Sequence, residues 1–148
     1  MLPADFLDDL SLLKRLYVRC FADLLAETGL CQAEMDVLLF LANNPPYDTA
    51  RDMVRRRGLA KSHVSAAVDS LVGKGLLLRT YRGGNRKVVH LERLPASDEL
   101  VEQGRRIQAA FFDAILKGMT DEERQAFELI LRRIHDNLKG SELHADAL

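Results

Sequence analysis

The sequence predicts a mainly helical chain in which two short helices are followed by one small β-hairpin and flanked on both sides by longer helices. Three observations carry that prediction. Apolar residues recur at helical spacing near both ends of the chain. Gly58-Leu59-Ala60 joins two helical stretches with almost no loop between them. Gly83-Gly84-Asn85 separates two β-prone runs.

Taken in order, Phe6, Leu10, Leu13, Tyr17, Cys20 and Leu24 alternate spacings of four and three, which predicts one long helix closed by Thr28-Gly29. Cys20, on that stripe, is expected in the core. A second helix is expected over residues 32–42, with Met35, Leu38 and Leu39 inward and Asn43-Asn44-Pro45-Pro46 as its stop. Thr49 starts a third. Its hydroxyl can cap the helix while Asp52, three residues on, reaches back, and Gly58 ends it early. A fourth follows at once in GLAKSHVSAAVDSLVGKGLL, residues 58–77. Two short helices across a glycine turn make a helix-turn-helix.

In the fourth helix Val64, Val68, Leu71 and Val72 form one apolar stripe. The facing side carries Lys61, Ser62, His63, Ser65, Ala66 and Asp69, mostly short residues with a hydrogen-bonding atom. A merely solvated face favours long Glu, Lys and Arg. Short polar residues suit a helix that must descend into a DNA major groove and offer donors to phosphates and base edges. Leu76 to Arg82 and Arg86 to Leu91 form the hairpin, with Arg82, Arg86 and Lys87 at its tip; such a cationic loop can follow the DNA backbone or enter a narrow minor groove. The final helices are expected over residues 97–117, marked by Leu100, Gly104, Ile107, Phe111 and Ile115, and from Thr120, where Glu123 completes a capping box ahead of Phe127, Ile130, Ile134 and Leu138. The tail SELHADAL has no pattern and is expected to fray.

Charge supports the nucleic-acid reading. The net charge is −1, yet residues 51–93 hold eleven Lys or Arg against three acids, a net +8. The remainder holds ten against nineteen, a net −9. A basic middle between acidic ends favours an anionic partner. A length of 148 residues suits one domain with a real core, and 47% hydrophobic with 29% charged content is that of an ordinary soluble protein. No apolar run is long enough to span a bilayer, and MLPADFLDDL has no basic leader, so a cytoplasmic location and no membrane partner are expected.

These residues resemble the MarR family of winged helix-turn-helix transcriptional regulators. GLAKSHVSAAVDSLVGKGLL, the wing RTYRGGNRKVVHL and the order of two helices, winged core and two helices carry the likeness. The resemblance implies a homodimer built from the terminal helices, a helix around Lys61 and Ser62 that reads DNA, and a cleft for a small-molecule effector. Expected parts are a winged helix-turn-helix over about residues 31–94, dimerisation helices over about 4–28 and 97–139, and a tail over 140–148. The apolar surface of the outer helices, more than a lone winged core can cover, points to the dimer independently. Asn85 stands where the family usually has Asp, Ala60 where a Ser or Asp cap is common, and Arg57 where an apolar residue commonly packs. LERLPASDEL lacks the family's usual Leu-Thr-x-x-Gly.

The expected function is therefore that of a homodimeric, sequence-specific DNA-binding regulator, a repressor of a pseudo-palindromic operator. Its predicted DNA contacts are Thr49, Lys61, Ser62, His63, Ser65, Arg82, Asn85, Arg86 and Lys87. The alternative is a protein-interaction adaptor on the same fold that has lost DNA binding, against which the basic wing argues. No nucleophile elbow, phosphate loop or HExxH is present, so no enzyme and no cofactor is expected. His63, His90, His135 and His144 lack metal-ligand spacing, so no metal is expected; His63 reads as a donor facing DNA and His90 as a strand residue on the open face. Asp8, Asp9 and Asp121 to Glu123 lie at helix starts, where acids complement the dipole. Cys31, where the family often has a capping Thr or Ser, is a candidate redox residue, since a helix N-terminus can stabilise a thiolate. A small half-buried stand-in for Thr is its more ordinary reading.

Overall fold

The computed structural model describes residues 3–140, with side chains from residue 5 to 138. The tail 141–148, His144 included, lies outside the described residues. The chain divides into two compact units, residues 1–111 and 112–148. In chain order the helices are α1 (Pro3–Cys20), α2 (Ala22–Thr28), α3 (Gln32–Asn43), α4 (Ala50–Arg57) and α5 (Lys61–Gly73). Strands β1 (Leu77–Arg82) and β2 (Asn85–Arg93), a 3-10 turn (Pro95–Ser97), α6 (Asp98–Ile115) and α7 (Asp121–Gly140) complete it. The fold is a winged helix-turn-helix with flanking helices.

The first unit is built around α3. Met35, Val37, Leu38, Leu39, Phe40 and Leu41 are all buried, so this helix is apolar nearly all round, as a helix enclosed by its neighbours must be. Against it stand Val64, Ala67, Val68 and Leu71 of α5, Met53 of α4, Leu77 and Leu91 of the hairpin, and Val101 of α6. Each large side chain so buried contributes about 1.5–3 kcal/mol, which is enough to hold two helices as short as α4 and α5 in a fixed relation. α6 approaches closely at Gly104. A Cβ there would stand 3.0 Å from a Leu39 methyl and 3.2 Å from the Met35 sulfur.

Local chemistry sets the ends of the helix-turn-helix. The Thr49 hydroxyl accepts the Asp52 amide (3.2 Å), and Asp52 Oδ2 accepts the Thr49 amide (3.1 Å), so the expected box forms. Gly58 closes α4 at φ 62°. α5 ends in a Schellman arrangement: the Leu76 amide donates to the Leu71 carbonyl (2.9 Å) and the Gly75 amide to Val72 (3.0 Å), with Gly75 at φ 71°. The wing follows directly. Its antiparallel register pairs Leu77 with Arg93, Arg79 with Leu91 and Thr80 with His90, then is irregular between Thr80 and Arg82.

Several expectations change. The first helix is not continuous: it breaks at Phe21, whose amide bonds three residues back to Val18 (3.2 Å) and whose ring is fully buried edge-on to Tyr17, centroids 5.1 Å apart. That local tightening turns Phe21 and Leu24 into the core and leaves Cys20 exposed, not buried as its place on the stripe suggests. The inward stripe of α5 includes Ala67, while Val72 is only half-buried. The hairpin turn is Gly83-Gly84 alone (φ 58° and 72°), with Asn85 already in β2. α6 begins one residue late because Ser97 is buried, its hydroxyl donating to the Leu94 carbonyl at 2.8 Å.

Along α1, Phe6, Leu7, Leu10, Leu12, Leu13, Leu16 and Val18 stay exposed in the single chain. In the second unit Thr120 and Glu123 form the expected box, the Thr120 amide reaching Glu123 Oε2 at 2.8 Å. There α7 exposes Leu129, Ile130, Leu131, Ile134 and Leu138. No helix among the described residues is long and apolar enough to cross a membrane.

Candidate nucleic-acid interface

α5 presents Lys61, Ser62, His63, Ser65, Ala66 and Asp69 outward, all exposed. Its buried stripe holds the helix so that no long side chain stands on this face except Lys61 at the first position. The geometry therefore leaves an open helical surface of small polar groups. His63 and Ala66 also border a shallow groove toward Gly29, Cys31, Glu34 and Lys74.

Under that groove α5 is tied to α3 by a buried carboxylate. Glu34 accepts Lys74 Nζ (2.8 Å) and the Ser70 hydroxyl on one oxygen, and the Cys31 amide (2.8 Å) on the other. Burial alone would raise its pKa, but the Lys74, Ser70 and Cys31 hydrogen bonds together outweigh that and hold the carboxyl below its ordinary value. Glu34 thus serves as a clamp that fixes the recognition-type helix. In the sequence Glu34 reads only as a carboxylate close to Cys31 that disfavours a thiolate there; its bonds to Ser70 and Lys74 have no local signal.

The cations of the basic segment differ in what holds them. Lys74, Arg79 and Arg93 are paired with Glu34, Asp69 and Asp98, and the Arg56 guanidinium lies 3.8 Å from the centroid of the Tyr47 ring. Arg51, Arg55, Lys61, Arg86 and Lys87 have no ion pair among the described residues, and all five are exposed. The pair Arg51 and Arg55, one turn apart on α4, was counted in the sequence but not placed at the interface; the i, i+4 spacing was the available signal.

The wing is braced differently from its sequence reading. Arg82 does not project freely: its Nη2 pairs with Asp48 Oδ2, although 68% of the side chain remains exposed. His90 is not on an open face. It is 18% exposed and its Nδ1 lies 2.7 Å from Asp48 Oδ1. Asn85 Oδ1 accepts the Lys87 amide at 2.9 Å, so this side chain shapes the tip. Thr49 is half-buried and its hydroxyl proton is committed to Asp52 at 2.7 Å. What α4 can offer a phosphate at this end is backbone rather than the Thr49 hydroxyl.

A second concavity, a cleft of about 210 Å³, lies among α1, α3, α4 and α6. Lys14, Tyr17, Asp36, Arg57 and Gln108 line it, with Val18, Leu39 and Leu59 as its apolar wall. Gln108 Nε2 donates to the Tyr17 hydroxyl at 2.7 Å. Burial raises the pKa of the Asp36 carboxyl, against smaller opposing effects of a hydrogen bond from Gln32 and the charges of Arg57 and Lys14. Arg57 is exposed and lines this cleft, so it does not occupy a core position. Cys31 is exposed at the start of α3. Among the described residues no group of His, Cys, Asp or Glu converges as a metal site.

The sequence comparison singles out the stretch that holds the small-residue helix and the wing. The profile described as the MarR family matches residues 28–86, from the last turn of α2 to the wing tip. Over that segment the chain is similar to the MarR family. No curated protein matches the chain. Among solved structures, transcriptional regulator PA3341 is 27% identical over 91% of this chain and 98% of its own, with a TM-score of 0.78. A MarR family regulator from Listeria monocytogenes, crystallised with a 26mer DNA, superposes at TM-score 0.81 and 18% identity over 95% and 93% of the two chains. BpsR of Bordetella bronchiseptica, whose DNA binding 6-hydroxynicotinic acid regulates, gives 0.69 at 20% identity over 88% and 98%. At those two identities the likeness is one of fold.

Proposed function

We propose that this MarR-like chain is a sequence-specific DNA-binding transcriptional regulator that acts in the cytoplasm as a homodimeric repressor. The observation that carries the reading is the coincidence of an exposed, small-residue face on α5 with the exposed cations Arg51, Arg55, Lys61, Arg86 and Lys87, which have no ion pair among the described residues. Ser62, His63 and Ser65 are the groove contacts and Lys61 a phosphate contact. Arg82, Arg86 and Lys87 form the wing contacts, Asn85 shapes the tip, and Arg51 and Arg55 join the phosphate set. The exposed apolar residues of α1 and of α7 each need a cover, and a second copy provides it. Two copies read a pseudo-palindrome with half-site centres roughly 10 bp apart.

Release by a small molecule is supported by the cleft beside Arg57, whose two cations, tyrosine and glutamine suit a ligand with an apolar ring and a polar or anionic group. The Listeria and Bordetella structures lend this reading their DNA and effector by analogy of fold. A redox signal through Cys31 has exposure in its favour. Glu34, hydrogen-bonded to the Cys31 amide, places a carboxylate against a thiolate, so the small-molecule route is preferred. An oxidant that weakened DNA binding by wild type but not by Cys31→Ser would reverse that preference.

The test is selection of duplexes from a random pool, followed by binding at several salt concentrations. Each phosphate contact contributes roughly −0.9 to the slope of log affinity against log salt. Four or more contacts per dimer therefore give a slope steeper than about −3.5. A flat salt response, or tight salt-independent capture of a protein, would favour the adaptor reading.

A further inference from the structure

The residue that orients the wing is not in the wing. Asp48 lies in the turn between α3 and α4, next to Thr49, the N-cap of α4. Its backbone carbonyl accepts the Leu91 amide at 2.7 Å, which pins the turn to β2. Both of its carboxylate oxygens are occupied: Oδ1 by His90 Nδ1 at 2.7 Å and Oδ2 by Arg82 Nη2. The group is 18% exposed, far less than the guanidinium it holds. Asn85, at the wing tip, is neutral and accepts the Lys87 amide instead.

The neighbouring charges do not compete. Arg93, which lines one shallow concavity with Asp48 and Arg82, is committed to Ser97 (3.0 Å) and Asp98 (3.1 Å). Glu92, also lining it, is exposed and lies opposite Leu78 in the hairpin. Arg82 is the last residue of β1, and just before it the strand register becomes irregular, so the ladder does not by itself fix the direction of this side chain. A guanidinium has five N–H donors in a rigid fork. Anchoring one nitrogen on a held carboxylate leaves the others facing solvent in a defined plane, which is what reading a groove requires and what a freely rotating arginine lacks.

We propose that Asp48, held by His90 and by its own backbone bond to Leu91, is the positioning residue for Arg82, and that it couples the wing to the start of α4 so that both meet DNA as one unit. This rests on the DNA-binding reading above. Asp48 acts through Arg82, so removing it costs recognition rather than charge. Loss of an anion near phosphates leaves non-specific affinity unchanged or raises it.

The experiment compares wild type, Asp48→Asn, Arg82→Ala and the double variant. Each is titrated by fluorescence anisotropy against the duplex that wild type selects from a random pool and against a scrambled duplex of the same composition. Asp48→Asn and Arg82→Ala are each expected to reduce the ratio of the two affinities, on the order of tenfold, and the double variant to lose no more than Arg82→Ala alone. Arg82→Lys, which leaves Asp48 in place, is expected to lose the ratio while keeping the wild-type salt slope. Circular dichroism checks folding, and the Arg82→Lys comparison decides the matter if Asp48→Asn does not fold. Additive losses, an equal loss on both duplexes, or full discrimination by Arg82→Lys would each overturn the role of Asp48. Failure of wild type to enrich any sequence would instead overturn the DNA-reading function itself, and this proposal with it.

Discussion

Replacing Glu34 by Ala removes the tie between α3 and α5, and the structure allows its cost to be worked out. Three interactions disappear. Lys74 is 41% exposed on its side chain, so solvent screens that pair and it contributes only about 0–1 kcal/mol. The Ser70 hydroxyl and the Cys31 amide donate to the two oxygens of an ionised, buried carboxylate, and such bonds contribute roughly 1.5–3 kcal/mol each. Desolvation of the carboxylate, which no longer has to be overcome in Glu34→Ala, offsets part of that sum. The expected net loss is about 2–3 kcal/mol. With a urea dependence near 2 kcal/mol per molar, the unfolding midpoint falls by about 1–1.5 M, measured at one fixed protein concentration because a dimer's stability depends on it.

The pH response gives a second check with a defined sign. The folded carboxyl titrates below its ordinary value of 4.5. Its stabilisation is therefore complete above that value and is lost as pH falls through the lower folded value. The difference in unfolding free energy between wild type and Glu34→Gln should shrink as pH is lowered below 4.5 and be constant from pH 6 to 8. A Glu34→Ala variant within about 0.5 kcal/mol of wild type at pH 7, the range of ordinary surface changes, would refute the clamp.

Further outcomes follow from other sites. Gly104→Ala gains about 1 kcal/mol of helix propensity but presses on the buried Leu39 and Met35, so a net loss of about 1 kcal/mol is expected. Gly104→Val, larger and branched at the closest point, should lose more than about 2 kcal/mol in the same urea assay. Asp36→Asn should stabilise the protein more at pH 7 than at pH 3.5: a carboxyl raised by burial opposes folding once its unfolded form ionises, near 3.8 and above. An equal effect at both pH values would remove burial as the cause. Arg86→Ala and Lys87→Ala should weaken binding to every duplex and each reduce the magnitude of the salt slope by about 1. Ser65→Ala should relax discrimination, by about 1–3 kcal/mol where Ser65 holds a base edge.

The sequence by itself determined whatever depends on neighbours a few residues apart. The Thr49–Asp52 box, the Gly58 stop, the glycine stop after α5, the hairpin at Gly83-Gly84 and the small outward face from Lys61 to Asp69 all follow from local backbone chemistry and helical spacing. Tertiary structure decided where the charges went. Asp48 finds Arg82 and His90 across 34 and 42 residues, and Glu34 finds Ser70 and Lys74 across 36 and 40. No spacing rule links positions that far apart, because their meeting depends on how α3, α5 and the hairpin pack. The same packing chose which cations remain free, turned Phe21 inward and left Cys20 outside. Periodicity marks a helix's apolar stripe, but which part of that stripe a single chain can cover is fixed only when the other elements arrive. The core takes in Leu24 of α2, Phe21 at the break and, at its edge, Tyr17 of α1, while Phe6, Leu10 and Leu13 stay exposed.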